Sequence, residues 1–444
     1  MELRDLIVTP IIILLVYTGA YFLRPYVTDS ISSRYFFPAL TVRVFGAIAL
    51  GIIYQFYYNG GDTFNYHTLG SRVIWEAFME SPEAGLKLLF SDGSSSSGIF
   101  EYSSKIYFFR DHSSYFVIRI AAFLDLLTFS SYSATAVLFA TLSFTGSWAL
   151  FLTFHKEYPQ LHKSIAFATL FIPSVFFWGS GILKDTIIIA CLGMATFQIH
   201  KLFIERRNSL KSVIILLFVV YVIFNVKIFI LQVYIPAAIV WVFAFNFARI
   251  RSIVLKSLLI PLVSALVLVS SVYAIVKVGE GDAKYSVANL AKTARVTAYD
   301  IRYWTGRDAG SGYSLEVEDW TPAGMLKASP FAINVSLFRP YLWEAKNSLM
   351  VISALESLFL LLFTLYVSVK SFRYIISAFG NYNVLFCLIF SISFAFAVGI
   401  STFNFGTLTR YRIPLLPFYL LALMILLNYS KSDKKFAELE ETEY

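Results

Sequence analysis

Gly60-Gly61-Asp62-Thr63-Phe64-Asn65-Tyr66-His67 follows an apolar run closed by Tyr54, Phe56, Tyr57 and Tyr58, and it opens a polar interval that lasts until hydrophobicity resumes near Tyr115. The two glycines let the backbone turn sharply and leave room for a ligand. The aromatics suit the lipid headgroup level or a surface on which a sugar ring stacks. A carboxylate in this setting, at the end of an apolar run of about twenty residues, reads as the mouth of a membrane span.

Composition agrees with that reading. Of 444 residues, 58% are hydrophobic, 18% aromatic and only 14% charged, against about 25% charged in a soluble domain. Barrel strands would alternate apolar and polar residues, whereas here the apolar residues come in unbroken runs. The expected fold is therefore an all-α polytopic membrane protein with about 11–13 transmembrane helices, amphipathic interfacial helices and a long extracytoplasmic loop. Candidate spans are Leu6–Leu23, Phe36–Tyr57, Tyr115–Phe129, Tyr132–Phe154, Ser164–Trp178 and Ile182–Phe203. They continue with Val213–Asn225, Phe229–Phe247, Ile253–Val276, Leu349–Val369, Val384–Ile400 and Ile413–Leu427. The chain reads as one transmembrane domain, 1–444, carrying a first polar loop with interfacial helices over 58–114, the extracytoplasmic loop over 277–346 and a cytoplasmic tail over 431–444.

The net charge of +8 sits mostly in short loops, where it sets orientation and implies the lipid bilayer, not nucleic acid, as partner. Cys191 and Cys387 fall inside apolar runs, as packing residues do, and suggest no disulfide framework. Leu6–Leu23 lacks a small-residue cleavage pattern after it and reads as a first transmembrane helix.

Lys and Arg mark cytoplasmic loops at Arg206, Arg207 and Lys211, at Arg249, Arg251 and Lys256, at Lys370 and Arg373, and at Lys431, Lys434 and Lys435. Gly179–Gly181, Lys277–Lys346 and Ser401–Arg410 then face outward. Counting back through every span puts the Asp62 loop in the cytoplasm. If one early segment lies in the interface, Asp62 moves outside, and Tyr115–Phe129, short and bearing Arg119 and Asp125, is the segment expected to do so. Leu69–Phe78 and Ala84–Phe90 would then be amphipathic helices on the outer leaflet.

Four polar constellations lie in or beside apolar segments, where ionisable residues default to functional hypotheses. Asp62, with Tyr66 and His67, could deprotonate an acceptor hydroxyl or help bind a divalent metal, Mg or Mn; it could equally cap the helix after it. Trp178-Gly179-Ser180-Gly181-Ile182-Leu183-Lys184-Asp185 reads as a helix–turn–helix in which Lys184 could hold a phosphate and Asp185 suits the next helix's first turn. Headgroup anchoring is the plainer role for both. In Arg339-Pro340-Tyr341-Leu342-Trp343-Glu344 a proline fixes a rigid polar corner, just before a span containing Glu356; a local Arg–Glu pair in an aromatic belt is the plainer reading. In Thr409-Arg410-Tyr411-Arg412-Ile413-Pro414, two arginines lie on the outward side, suited to bidentate phosphate contact or to lipid headgroups.

The long loop adds Arg302, Tyr303, Trp304, Arg307, Asp308, Glu316, Glu318, Asp319 and Trp320, a mixture that fits a lid over a sugar or an ordinary folded cap. No metal-ligand spacing of His or Cys occurs, the glycines make no phosphate-binding loop, and no Ser-His-Asp order stands out.

Together, Gly-Asp-Thr-x-x-Tyr from Gly61, Trp-Gly-Ser-Gly-x-x-Lys-Asp from Trp178, Arg-Pro-x-x-Trp-Glu from Arg339 and Arg-Tyr-Arg-x-Pro from Arg410 resemble the bacterial polytopic glycosyltransferases of the GT-C superfamily. The arginine-bearing loops are similar also to those of polysaccharide repeat-unit polymerases. The resemblance covers about a tenth of the chain by these motifs. It implies an integral-membrane enzyme moving a sugar or oligosaccharide from a polyprenyl-(pyro)phosphate carrier, on the extracytoplasmic face of the bacterial inner membrane, beside other envelope-assembly proteins. In that scheme Asp62 serves the acceptor or a metal, and Arg410, Arg412, Lys184 or Arg339 hold the donor phosphate, with Asp185, Trp343, Glu344, Tyr66 and His67 shaping the pocket. Two departures stand out. The acidic residue follows the second span, where GT-C enzymes commonly place it after the first, and no second carboxylate adjoins it. A transporter or flippase for lipid-linked sugars is the expectation of another class.

Overall fold

The computed structural model describes residues 2–248, 296, 312–313, 322–374, 380–402 and 404–428. The Ile253–Val276 span, most of the 277–346 loop with its nine charged and aromatic residues named above, and the 431–444 tail lie outside the described residues. The chain is all-α: among the described residues no strand forms, only an isolated antiparallel bridge between Gly312 and Asn404. Among the described residues seven helices are long and apolar enough to cross a membrane, or eight if one bent pair counts as a span. This is a multi-pass membrane protein.

The backbone groups into two compact units. The first comprises Met1–His162, Thr169–His200 and Asn208–Lys227; the second, Lys163–Ala168, Lys201–Arg207 and Ile228–Tyr444.

The first unit begins with α1 (Leu3–Val27) and α2 (Ser33–Phe56), joined by a tight turn. The polar interval folds into short helices: α3 (Asp62–Tyr66), a π-helical turn (His67–Ser71), α4 (Arg72–Glu80), α5 (Pro82–Phe90) and α6 (Phe100–Ser103). Then come α7 (His112–Thr128), α8 (Tyr132–Glu157), α9 (His162–Leu170), whose stretch Lys163–Ala168 groups with the second unit, α10 (Pro173–Trp178), α11 (Lys184–Ile199) and the first half of α12 (Leu210–Ala248). Ser81 caps α5 through Ala84 N, with Pro82 in its first turn, a usual helix start.

One end of this unit is defined by Asp5, which accepts from Ser131 Oγ (2.7 Å) and Ser133 N (3.3 Å) at the start of α8, and by Tyr132, which meets Thr63 beside Asp62. The opposite end is held by Trp148 Nε1 donating to Val27 O (3.1 Å), by His155 with Asp29 (3.0 Å) and by His200 with Glu157 (2.8 Å). α7 touches only the first end. Its N-terminus meets Lys184 at the start of α11, and its Asp125 meets Ser71 and Thr135. At 17 residues it is shorter than the helices that qualify as spans, and it ties the Asp62 end of the unit to the start of α11. The Asp62 loop consequently shares an end with the Gly179–Gly181 connection.

One other span differs from expectation. Ser164–Trp178 is not one helix: it breaks between α9 and α10, where Ile172 is extended (φ −69°, ψ 122°) and Pro173 starts the second piece, because proline cannot continue a helix and pushes its predecessor out of the α region. Val213–Asn225 and Phe229–Phe247 are the two arms of α12, which is kinked between them at Lys227 (φ −151°, ψ 78°).

Within the bundle α8 packs on α11 through glycines. A Cβ at Gly146 would collide with the Ala190 carbonyl, and one at Gly193 with the Gly146 carbonyl. Small residues let two membrane helices approach backbone to backbone.

The second unit contains the second half of α12, α13 (Pro322–Lys327), α14 (Ser329–Phe338), α15 (Ser348–Lys370), α16 (Tyr382–Ser401), α17 (Phe405–Tyr411) and α18 (Leu416–Asn428), the last two bent by 65°. Its core is aromatic. Trp241 stacks on Phe386 at 4.4 Å and donates Nε1 to Asn383 Oδ1 (2.8 Å), while Phe390 and Phe418 meet edge to face at 4.8 Å.

Candidate functional site

The α2 helix organises the polar end of the first unit. Gly60 N donates to Tyr54 O (2.9 Å), and Gly60 and Gly61 take φ of 128° and 121°, a region closed to most side chains. A Cβ on Gly61 would press against the Tyr54 ring, which lies 5.2 Å from the Tyr58 ring and 6.3 Å from that of Trp178. Tyr54 thus joins the Asp62 loop to the Trp178–Asp185 turn. Asp62 is the first residue of α3, half-buried, where its charge suits the helix dipole. Tyr66 is buried against Phe108 at 5.4 Å, and His67 is fully buried. Neither Tyr66 nor His67 stands open to a ligand.

Lys184 heads α11. Its Nζ donates to Ser113 Oγ (2.6 Å) and lies 3.6 Å from Asp111 Oδ2. Burial pushes the Asp111 carboxyl up, but the Lys184 ammonium and the hydroxyls of Ser114 and Ser113 outweigh it and hold it below the usual carboxylate range. Asp185, fully buried, pairs with Lys227 at the interruption of α12, and His112 Nε2 meets Asn225 Oδ1 at 2.9 Å beside it. A lysine and an aspartate adjacent in sequence therefore reach two different elements.

Sequence reasoning passed over Asp111, Ser113 and Lys227, and it passed over Arg43. The last is fully buried inside α2, where Nη1 donates to Ser143 Oγ (3.0 Å), Val175 O and Gly179 O (2.9 Å each) and Nη2 to Ser147 Oγ (2.7 Å). It closes the carbonyl end of α10 and so fixes the turn that presents Lys184. An arginine alone in an apolar run was the available signal.

In the second unit the Arg339 corner is a self-contained pair. Arg339 Nε donates to both Glu344 oxygens (3.1 and 3.0 Å), and its guanidinium lies over Phe405, Tyr313 and Tyr341 at 5.1, 5.4 and 5.8 Å. Trp343 stacks on Tyr341 at 4.8 Å and is 82% exposed. Arg412 is fully buried in the α17–α18 bend. It donates to Arg339 O (2.9 Å), Ser357 Oγ (2.9 Å) and Ser336 O (3.4 Å), and its Nη2 faces Glu356 at 3.4 Å. Arg410 lies half-buried in the last turn of α17, whose start Asn404 caps. Of the expected phosphate contacts, Arg339 and Arg412 are thus committed to internal carboxylates.

The Glu344 carboxyl is raised by burial but lowered more by Arg339 and by the Tyr341 N–H, so its folded pKa lies below its ordinary value. A depressed carboxylate stabilises fully above the unfolded pKa, about 4.3, and the contribution is lost as pH falls through the lower folded value. The thermal midpoint of Glu344→Gln should therefore lie below wild type at pH 7 and converge on it below about pH 4. A constant gap across that range would refute the assignment.

Among the described residues no three His, Cys, Asp or Glu side chains converge to hold a metal ion. No protein-family model matches the chain, and no curated protein or solved structure does either.

Proposed function

We propose that the chain is an integral-membrane glycosyltransferase that moves a sugar or oligosaccharide from a polyprenyl-(pyro)phosphate carrier to an acceptor, in envelope polysaccharide or glycoconjugate synthesis at the bacterial inner membrane. One observation carries the reading. A half-buried carboxylate, Asp62, shares one end of a membrane bundle with Lys184 in its Ser113–Asp111 cradle and with the Asp185–Lys227 pair.

The chemistry needs a base and a cation. The acceptor oxygen forms the new bond to the anomeric carbon, the bond from that carbon to the phosphate oxygen breaks, and the phosphate leaves with the electron pair. Asp62 takes the acceptor proton, and Lys184 stabilises charge growing on the phosphate. A prenyl tail remains in lipid beside such a site. The polymerase reading leans on arginines, and the internal pairing of Arg339 and Arg412 weighs against it.

Membrane vesicles supplied with a polyprenyl-phosphate-linked sugar test this. Asp62→Asn should lower turnover by at least about a hundredfold, the range of a lost general base. Lys184→Met should fall similarly. Undiminished turnover in Asp62→Asn removes the base from the mechanism, and loss on chelation alone would move Asp62 to a metal-binding role.

A further inference from the structure

Backbone bonds from Gly60 N to Tyr54 O and from Phe64 N and Asn65 N to Gly61 O shape the turn before Asp62, but they do not fix the segment after it. α3 has five residues and no side-chain cap. Two side chains from neighbouring helices grip it instead. Tyr132, the first residue of α8, shares a 2.8 Å hydroxyl hydrogen bond with Thr63, stacks its ring on Phe64 at 4.5 Å and meets the His67 ring edge-on at 5.4 Å. Asp125 of α7 accepts from Ser71 Oγ at 2.6 Å and Thr135 Oγ1 at 2.5 Å, and its Oδ1 faces His67 Nε2 at 3.6 Å. Thr63, His67, Ser71, Asp125 and Thr135 are all fully buried, and His67 Nε2 makes no hydrogen bond.

The two grips fall on either side of the critical residue's turn. Thr63 adjoins Asp62, while His67 and Ser71 open and close the π-helical turn. Such a turn inserts a residue into the helix and rotates the helical segment before it relative to the segment after it. Pinning both of its ends therefore sets the direction in which α3, and Asp62 with it, points. A carboxyl group offers two oxygens, and here one takes the Ser71 hydroxyl and the other the Thr135 hydroxyl, which ties the π-helical turn to α7 and α8.

Resting on the reaction above, we infer that Asp125 and Tyr132 are positioning residues that aim the Asp62 carboxylate at the acceptor hydroxyl. Neither touches substrate.

Two measurements on the full chain test this. In vesicles, Tyr132→Phe and Asp125→Asn should each lower kcat by on the order of tenfold or more, the effect of a misplaced reacting group, with the KM for the polyprenyl-linked donor unchanged. Added to Asp62→Asn, either should cost nothing further, because residues acting through one group are not additive. A KM that rises in proportion, or a loss that multiplies, would mean general destabilisation and would overturn the inference. The second measurement needs no activity. In detergent micelles, hydrogen exchange of amides 62–71 should quicken by roughly tenfold in Asp125→Asn while α11 stays as in wild type. Unchanged exchange at 62–71 overturns the positioning role. A wild-type chain without turnover overturns the reaction assigned to it, and the exchange experiment then decides the positioning alone.

Discussion

Gly146→Val is expected to leave little folded protein to purify. The α8–α11 crossing brings backbone against backbone, so a side chain at 146 meets the Ala190 Cα, carbonyl carbon and oxygen, none of which can swing aside. Overpacking an adaptable core costs about 1–3 kcal/mol. Here the neighbour is main chain and the two helices must part, which places the cost at the top of that range or above it. That is a large share of a stability of about 5–15 kcal/mol. Gly193→Val should do the same from the opposing helix, since its Cβ meets Gly146. Gly19→Ala is the control: a Cβ there meets nothing within 4 Å. Thermal unfolding in detergent should show both valine variants far below wild type and Gly19→Ala beside it. A Gly146→Val protein with a wild-type midpoint would mean that the two backbones do not touch at this crossing.

The second large effect separates two arginines that lie two residues apart. Arg412→Met should destabilise by about 3–5 kcal/mol, the usual result of stripping one partner from a buried ion pair. Glu356 would lose the Arg412 guanidinium, and the carbonyls of Arg339 and Ser336 would lose the donor they share. Arg410→Met, at a half-buried position, should cost far less. Pairing Arg412→Met with Glu356→Leu should recover part of the loss, because replacing both members by apolar groups is often nearly neutral. No recovery would point to the carbonyl contacts as the larger part of Arg412's role. The midpoint should move with 412 before any activity is assayed.

The pattern of surprises has a physical explanation. Apolar runs and the Gly60–Gly61 turn are local features, and α1, α2, α8, α15 and α16 fall where those runs predict them. The short length and the charges of Tyr115–Phe129 also set it apart from the longer runs, and α7 there has 17 residues. Pro173 is visible in the sequence, but an apolar run looks the same whether or not its helix continues, so the α9–α10 break is not. Side-chain partners are less legible still. Arg412 reads as a phosphate ligand because Glu356, 56 positions away, cannot be paired with it by inspection. His67 groups with Asp62 by adjacency, yet it turns inward to Asp125 on α7. Lys227 reads as part of a connector between two spans, because its partner Asp185 belongs to a different helix.

Arg43 has a consequence for how the chain is made. Its guanidinium finds its acceptors 100 to 136 residues further along, on α8 and at the end of α10. When α2 first leaves the ribosome, none of those residues exists. A helix carrying an unshielded guanidinium near its middle partitions poorly into lipid on its own, at about 2.5–3.5 kcal/mol on insertion scales. The nascent α2 is therefore expected to insert less firmly until the segment through Gly179 has been synthesised, and a truncation ending before Ser143 should leave α2 more weakly inserted than it is in the full chain.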